Sequence, residues 1–338
     1  MMDINFAVIG TNKITDRFLE AACSVHGFQL KGVYSRSMEK AQAYAAKHHA
    51  PLAFDSLDKL AQCSDIDAVY IASPNSCHAP QAIQMLSSGK HVLCEKPIAS
   101  NTAEFLEMKK AALAHRKVLL EAMRSVYSPG FAAVRSHLHR LGTIRRVSFQ
   151  YCQYSSRYDN YKNGIIENAF NPQLSNGALM DIGVYCVYPA VELFGKPRCI
   201  KSSSLKLPNG AEGAGTILLE HDGMQAELLY SKISDSRIPS QIQGEDGTMV
   251  IEEIPNPQAV SIYGRDGKKE KLVIPKTDND MVYEIREFVW LVKEQAYNHR
   301  HLNYSELTLE LMDEVRRQQG IVFPADKGFH PNPQNQLK

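Results

Sequence analysis

Short apolar runs alternate with longer amphipathic stretches through the first third of the chain. Ile4 to Ile9 is an apolar run ending at Gly10, and Ile14 to Val25 follows with helical spacing at Phe18, Leu19 and Ala22. Leu30 to Tyr34 reads as a second strand and Met38 to Lys47 as an alanine-rich helix. Asp67 to Ala72 is a buried strand, Pro80 to Leu86 lies in the next helix, and His91 to Cys94 is again a strand. A helix over Thr102 to His115 and a strand over Lys117 to Ala122 complete the series. Alternation of this kind specifies βαβ units with right-handed crossovers, hence a doubly wound parallel sheet covered on both faces.

After about residue 123 the rhythm changes. Ile144 to Tyr154 reads as a long strand, followed by a polar, tyrosine-rich loop with Arg157, Tyr158 and Tyr161. Leu179 to Phe194 has helical spacing and closes at Gly195-Lys196-Pro197, a helix stop. Extended segments follow near 198–206, 214–220, 225–231, 248–254 and 259–263, with Asp222-Gly223, Asp246-Gly247 and Asp266-Gly267 among them. Strands joined by such turns predict a large, mostly antiparallel open sheet. Helices over Val282 to Gln295 and Ser305 to Gln319 end the pattern, and the tail His330 to Lys338 reads as a loosely held end. The fold class is α/β, with a first domain over 1–122 and an α+β domain over 123–338 that carries substrate binding and assembly.

Charge and composition exclude more than they assign. With 38 basic and 37 acidic residues among 338, nothing attracts nucleic acid or an anionic membrane surface. No run of about 20 apolar residues spans a bilayer. The start, Met1-Met2-Asp3-Ile4-Asn5, lacks the basic and apolar regions of a secretory signal. Seven scattered cysteines without a C-x-x-C spacing read as reduced residues of a cytoplasmic protein. Twelve histidines show no ligand spacing, so no metal site is expected.

The chemistry gathers at the ends of the first strands. Cys94-Glu95-Lys96-Pro97 follows the apolar run His91-Val92-Leu93 and puts a lysine at the carboxyl edge of the sheet, where open α/β sheets bind ligands. Proline fixes its own φ and permits a cis bond, so Lys96 can be aimed. Gly10-Thr11-Asn12-Lys13-Ile14-Thr15 keeps the first glycine of the dinucleotide-binding turn G-x-G-x-x-G, with Asn12 able to take unusual φ values in place of the second. An NAD-selective turn places an acidic residue at the end of the second strand. Here Tyr34-Ser35-Arg36-Ser37 offers a hydroxyl and a guanidinium instead, which suit a 2′-phosphate; the alternative is a solvated turn capping the next helix. Ser73-Pro74-Asn75-Ser76-Cys77-His78 follows another strand of the same edge, with Asn75 read as cofactor-proximal and His78 as either lining the crevice or bonded locally.

Gly10, Ser-Pro-Asn-x-x-His at 73–78, Glu95-Lys96-Pro97 and Asp181-Ile182-Gly183-Val184-Tyr185 together resemble the Gfo/Idh/MocA family of NAD(P)-dependent oxidoreductases. The resemblance spans nearly the whole chain. It departs from the family at the phosphate loop, which lacks two glycines, and at Tyr185. The commoner histidine is replaced there, as in the branch with dihydrodiol dehydrogenases and glucose–fructose oxidoreductase. The resemblance implies a Rossmann first domain and NADP or NAD as cofactor, NADP being preferred by Ser35 and Arg36. It places Gly10, Thr11, Asn12, Ile14, Ser73, Pro74, Asn75, His78, Glu95 and Lys96 at the cofactor.

Asp181 and Tyr185 lie four apart, one turn on one face of an α-helix. A tyrosine with pKa about 10 is a poor base at neutral pH unless a cation stabilises the phenolate. The resemblance puts Lys96 in that place, so Tyr185 is the expected acid/base, Lys96 its electrostatic partner and Asp181 a ligand of a substrate hydroxyl. Arg157 and Tyr158 either rim the pocket of a polyhydroxylated substrate or belong to a solvated loop or subunit contact. The expected reaction interconverts an alcohol and a carbonyl on a sugar, polyol or related diol; the rivals are a cofactor-retaining glycosidase and a non-catalytic nucleotide sensor. A bare apolar face of the second sheet would be covered by another copy, giving a homodimer or a dimer of dimers.

Overall fold

Six strands open the fold: β1 (Ile4–Ile9), β2 (Phe28–Tyr34), β3 (Leu52–Phe54), β4 (Ala68–Ile71), β5 (His91–Glu95) and β6 (Leu119–Ala122). All pair in parallel, in the order β3-β2-β1-β4-β5-β6, the order of a Rossmann sheet. The structure, a computed structural model, describes residues 3–327, so the tail His330 to Lys338 lies outside the described residues. Helices α1 (Lys13–Ala22), α2 (Met38–Lys47), α3 (Leu57–Gln62), α4 (His78–Ser87) and α5 (Thr102–Ala114) make the crossovers. Phe6, Val8, Val69, Tyr70 and Leu93 are fully buried, as continuous apolar runs in a doubly covered parallel sheet should be. Phe18 of α1 stacks on Tyr70, ring centroids 3.6 Å apart. Because the strands run one way, Ile9, Tyr34, Ile71 and Glu95 end at one edge.

The second sheet follows α6 (Pro129–His137). It contains β7 (Ile144–Cys152), then, after α7 (Ser156–Lys162) and α8 (Val184–Phe194), β8 (Cys199–Lys206), β9 (Glu212–His221), β10 (Met224–Ser231), β11 (Ser240–Gly244), β12 (Gly247–Ile251), β13 (Val260–Gly264) and β14 (Lys269–Lys271). Its eight strands lie in the order β14-β13-β12-β11-β7-β10-β9-β8. Only β7 and β10 pair in parallel; the other neighbours are antiparallel. Phe149, Leu228 and Ile217 stand abreast in register and are fully buried on one face, where α8 packs.

The alternate positions, Ser148, Gln150, Glu227, Thr216 and Gln241, form the other face. That face is mixed rather than the continuous apolar one expected: Leu205 at 56 % and Leu218 at 49 % exposure, with half-buried Leu229, Cys152 and Val250, stand among the polar side chains.

The chain divides into two units, one holding residues up to Arg124 with Asp278–Ser305, the other Ser125–Thr277 with the chain from Glu306. Residues 278–305, which sequence reading gave to the second domain, therefore pack with the first sheet. The reason is α9 (Met281–Lys293), which packs against α1 and buries Ile285, Phe288 and Val289, with Phe288 5.5 Å from Phe6 between centroids. An ion pair of Arg17 and Asp280, 2.5 Å, fixes the entry of α9. The last helix, α10, runs Arg300–Gln319.

Candidate active site

At the edge of the first sheet Gly10 has φ 115°, a conformation that favours glycine, and a Cβ there would lie 2.7 Å from the carbonyl oxygen of Ala72. The first glycine of a dinucleotide-binding turn makes a tight bend of this kind. Asn12 does not replace the second glycine through unusual φ, as the sequence suggested; it is extended, with φ −111° and ψ 177°. Its Oδ1 instead accepts from the N–H groups of Ile14 (3.1 Å) and Thr15 (3.2 Å), capping α1, while Nδ2 donates to the Ala72 carbonyl at 2.8 Å. Thr15, fully buried, fills the space a third glycine would leave open. Thr11 and Ile14 are half-buried on the same turn.

At the end of β2, Ser35 donates its N–H to the Phe54 carbonyl at 3.1 Å, and Arg36 is exposed. Ser73 donates its hydroxyl to Gln81 Oε1 at 2.7 Å, Pro74 is half-buried and Asn75 buried. His78 is 1 % exposed and does not line a crevice: Nδ1 lies 2.9 Å from the Pro97 carbonyl and Nε2 2.9 Å from that of Ser73. A neutral imidazole donates to only one of them. Burial holds its pKa below the usual value. His78 ties the turn after β4 to the turn after β5, as Asn12 ties β1 to β4.

The Lys96–Pro97 bond is cis and Lys96 is half-buried. Glu95, expected at the cofactor, turns inward: its Oε1 accepts from the Tyr70 hydroxyl at 2.6 Å and its Oε2 from the Lys96 N–H at 3.2 Å. Burial pushes its carboxyl up, against the pull of Lys96. The same interior holds Glu284, raised well above the carboxylate range by burial and then by the charge of Glu95, and Asp280, clasped by Arg17 and Arg124. Glu121 bonds the N–H of Ile98 (3.1 Å) and the hydroxyl of Ser305 (2.6 Å). Sequence reading missed it, although a lone carboxylate inside the apolar strand Leu119–Ala122 was a usable signal.

In the second unit the predicted helix over 179–194 begins as a π turn over Leu179–Gly183, with the Val184 N–H reaching the Leu179 carbonyl five residues back. The wider turn rotates Asp181 away from the α-helical relation to Tyr185 read from the sequence, and π turns concentrate at functional sites. The turn is held from the sheet. Glu212 Oε1 accepts the Leu179 N–H at 2.6 Å, and Lys232, just past β10, pairs with Asp181. Tyr185 is buried in the first turn of α8, edge-on to Tyr151 with centroids 5.7 Å apart. Pro189 follows four residues later without an N–H for the Tyr185 carbonyl, which removes one rung of the helix.

The polar loop after β7 is helical instead: Ser155 caps α7 by accepting the Arg157 N–H at 3.3 Å. Arg157 pairs with Glu167 at 3.5 Å, and Tyr158 packs on Tyr161, Tyr154 and Phe170. No group of three or more acidic, histidine or cysteine side chains fit for a metal occurs among the described residues, and no helix there is long and apolar enough to cross a membrane.

A Rossmann sheet with a glycine turn, Lys96 at its edge and a second sheet-based unit in the same chain define a class of dinucleotide-dependent oxidoreductases. A family model described as an oxidoreductase family with an NAD-binding Rossmann fold matches residues 4–123, and the GFO/IDH/MocA C-terminal domain matches 132–250. The chain is 52 % identical over 326 residues to scyllo-inositol 2-dehydrogenase (NADP(+)) of Bacillus subtilis, covering 96 % of this chain and 99 % of that one. It is 28 % identical to trans-1,2-dihydrobenzene-1,2-diol dehydrogenase of Xenopus laevis, covering 96 % and 100 %. A 3-ketoreductase from Actinomadura kijaniata in complex with NADP and TDP-benzene shares the fold, with TM-score 0.83, 22 % identity and coverage of 95 % and 99 %. The protein belongs to the Gfo/Idh/MocA family of oxidoreductases.

Proposed function

We propose that the protein is an NADP-preferring oxidoreductase interconverting an alcohol and a carbonyl on a polyol, a sugar or a related diol, with cyclic polyols foremost. The observation that carries this reading is the 52 % identity, over 96 % of the chain, to a scyllo-inositol 2-dehydrogenase that uses NADP(+). The residues fit the cofactor: Gly10 makes the tight turn after β1 and Arg36 offers an exposed guanidinium. When bound, the nicotinamide supplies the hydride acceptor or donor. Tyr185 takes the substrate hydroxyl proton during oxidation and returns it during reduction. Lys96 supplies the positive charge that favours the phenolate and the oxygen anion. Asp181 accepts a hydrogen bond from a substrate hydroxyl and orients the ring.

The free thiols of all seven cysteines support a cytoplasmic site of action. A homodimer or dimer of dimers through the open face of the second sheet is supported by its exposed Leu205 and Leu218, and a monomeric mass by light scattering would count against it.

Turnover on a panel of inositols, sugars and diols, with NADP+ and NAD+ compared, tests the reading. Reduced-nicotinamide production on at least one cyclic polyol is expected. Hydrolysis of glycosides without net cofactor turnover, or binding with no turnover on any member, overturns it.

A further inference from the structure

The second unit commits a buried carboxyl and a buried ammonium to one short turn. Glu212, inside β9, holds the backbone of the turn at Leu179. Lys232 holds a side chain. Its own side chain is 3 % exposed, whereas that of Asp181 is 27 % exposed, so the pair has a buried cation and a carboxylate that reaches solvent. The Lys232 ammonium also lies 3.5 Å from the Ala169 carbonyl and 5.0 Å from the centre of the Phe170 ring. It has little latitude, because its backbone is pinned on both sides: the N–H donates to Gly213 at 2.8 Å and the carbonyl accepts from Ser155 at 2.9 Å. Desolvating an ammonium to this degree is costly, and an apolar side chain of similar volume commonly serves stability as well or better. A fixed cation whose partner faces outward serves orientation.

We propose that Lys232 is a positioning residue for the reaction, fixing the Asp181 carboxylate in the orientation that receives a substrate hydroxyl. Losing the cation lets the carboxylate swing among rotamers, and substrate orientation is lost with it. The inference rests on the reading of Asp181 as a substrate ligand.

The test compares Asp181→Asn, Lys232→Met, the double variant and Lys232→Arg in the full-length protein, measuring kcat, KM, NADP+ affinity and Tm on the best polyol of the panel. Lys232→Met should lower kcat/KM by roughly 10- to 100-fold, within the range over which touching side chains couple, with NADP+ affinity unchanged. In the Asp181→Asn background the same change should cost no more than about twofold, the scatter of independent sites. Lys232→Arg, which keeps the charge, should recover part of the loss. A lower Tm with wild-type kcat/KM in Lys232→Met, or equal losses in both backgrounds, overturns the inference. Wild-type kcat/KM in Asp181→Asn overturns the underlying reading instead. If Lys232→Met does not fold, Lys232→Gln carries the same comparison.

Discussion

The carboxyl group of Glu121 accepts the backbone N–H of Ile98 at 3.1 Å, two residues beyond Lys96 in the chain. With the Ser305 hydroxyl on its other oxygen, Glu121 joins β6, the lysine turn and α10 beneath the sheet edge. It is fully buried, and desolvation pushes its pKa from 4.5 up to about 7, opposed by those two hydrogen bonds and by the charge of Lys96.

A carboxyl whose folded pKa is raised keeps its proton where the unfolded chain has lost it. Its contribution to stability is intact below about pH 4.5 and is lost as the pH climbs to about 7. That gap corresponds to about 3 kcal/mol. Glu121→Gln, with Ser305 turned to accept from the new amide, should lack this term. Urea unfolding at about pH 4.5, 6 and 7.5 should therefore show wild type losing stability relative to the variant as pH rises. Parallel profiles for the two proteins would refute the assignment.

Gly10→Ala should damage folding and cofactor binding together. The residue has φ 115°, and the new methyl would sit 2.7 Å from the Ala72 carbonyl oxygen, a backbone atom that cannot move aside cheaply. Backbone strain of this kind costs about 1–3 kcal/mol. Urea unfolding should show that loss, and NADPH titration of the folded protein should show weaker binding. Unchanged stability and affinity would mean that the loop relaxes freely.

How much of this was legible in the sequence follows from range. Five of the six parallel strands, all but β3, were readable because their apolar runs are bounded by turns and, in β1, β4, β5 and β6, buried on both faces. The edge residues followed from strand order. The residues of α7 bury no side chain, so no apolar stripe marked it, and only the cap at Ser155 could have. The amphipathic stripe of α9 announced a helix but could not say which core would receive it. Lys232 sits at the end of a strand, where a lysine normally signals solvent, and its partner Asp181 is distant in sequence. The π turn has no periodic signature at all.

Cofactor choice turns on Arg36. It is exposed at the end of β2, in the place where an acidic residue would select NAD. NADPH should bind more tightly than NADH by roughly 10- to 100-fold, the worth of one or two charge-assisted hydrogen bonds. Calorimetric titration of both cofactors measures this, and Arg36→Ala should bring the two affinities together. Equal affinities in wild type would assign Arg36 to the solvated turn that starts α2.

Separating chemistry from folding requires Tyr185. Its ring packs edge-on to Tyr151 inside the second unit, and phenylalanine keeps that contact while removing only the hydroxyl. Tyr185→Phe should thus retain Tm and NADPH affinity and lower kcat by roughly 10²–10⁴, the usual worth of acid–base catalysis. Lys96→Met should lose at least as much, and the double variant should fall far short of the product of the two losses, because groups that act as one unit are not additive. Tyr185→His should keep measurable activity with an optimum at lower pH, since imidazole titrates near neutrality and needs no cation to become a base. Wild-type kcat in Tyr185→Phe would return Tyr185 to the core of α8 and leave the proton to another group.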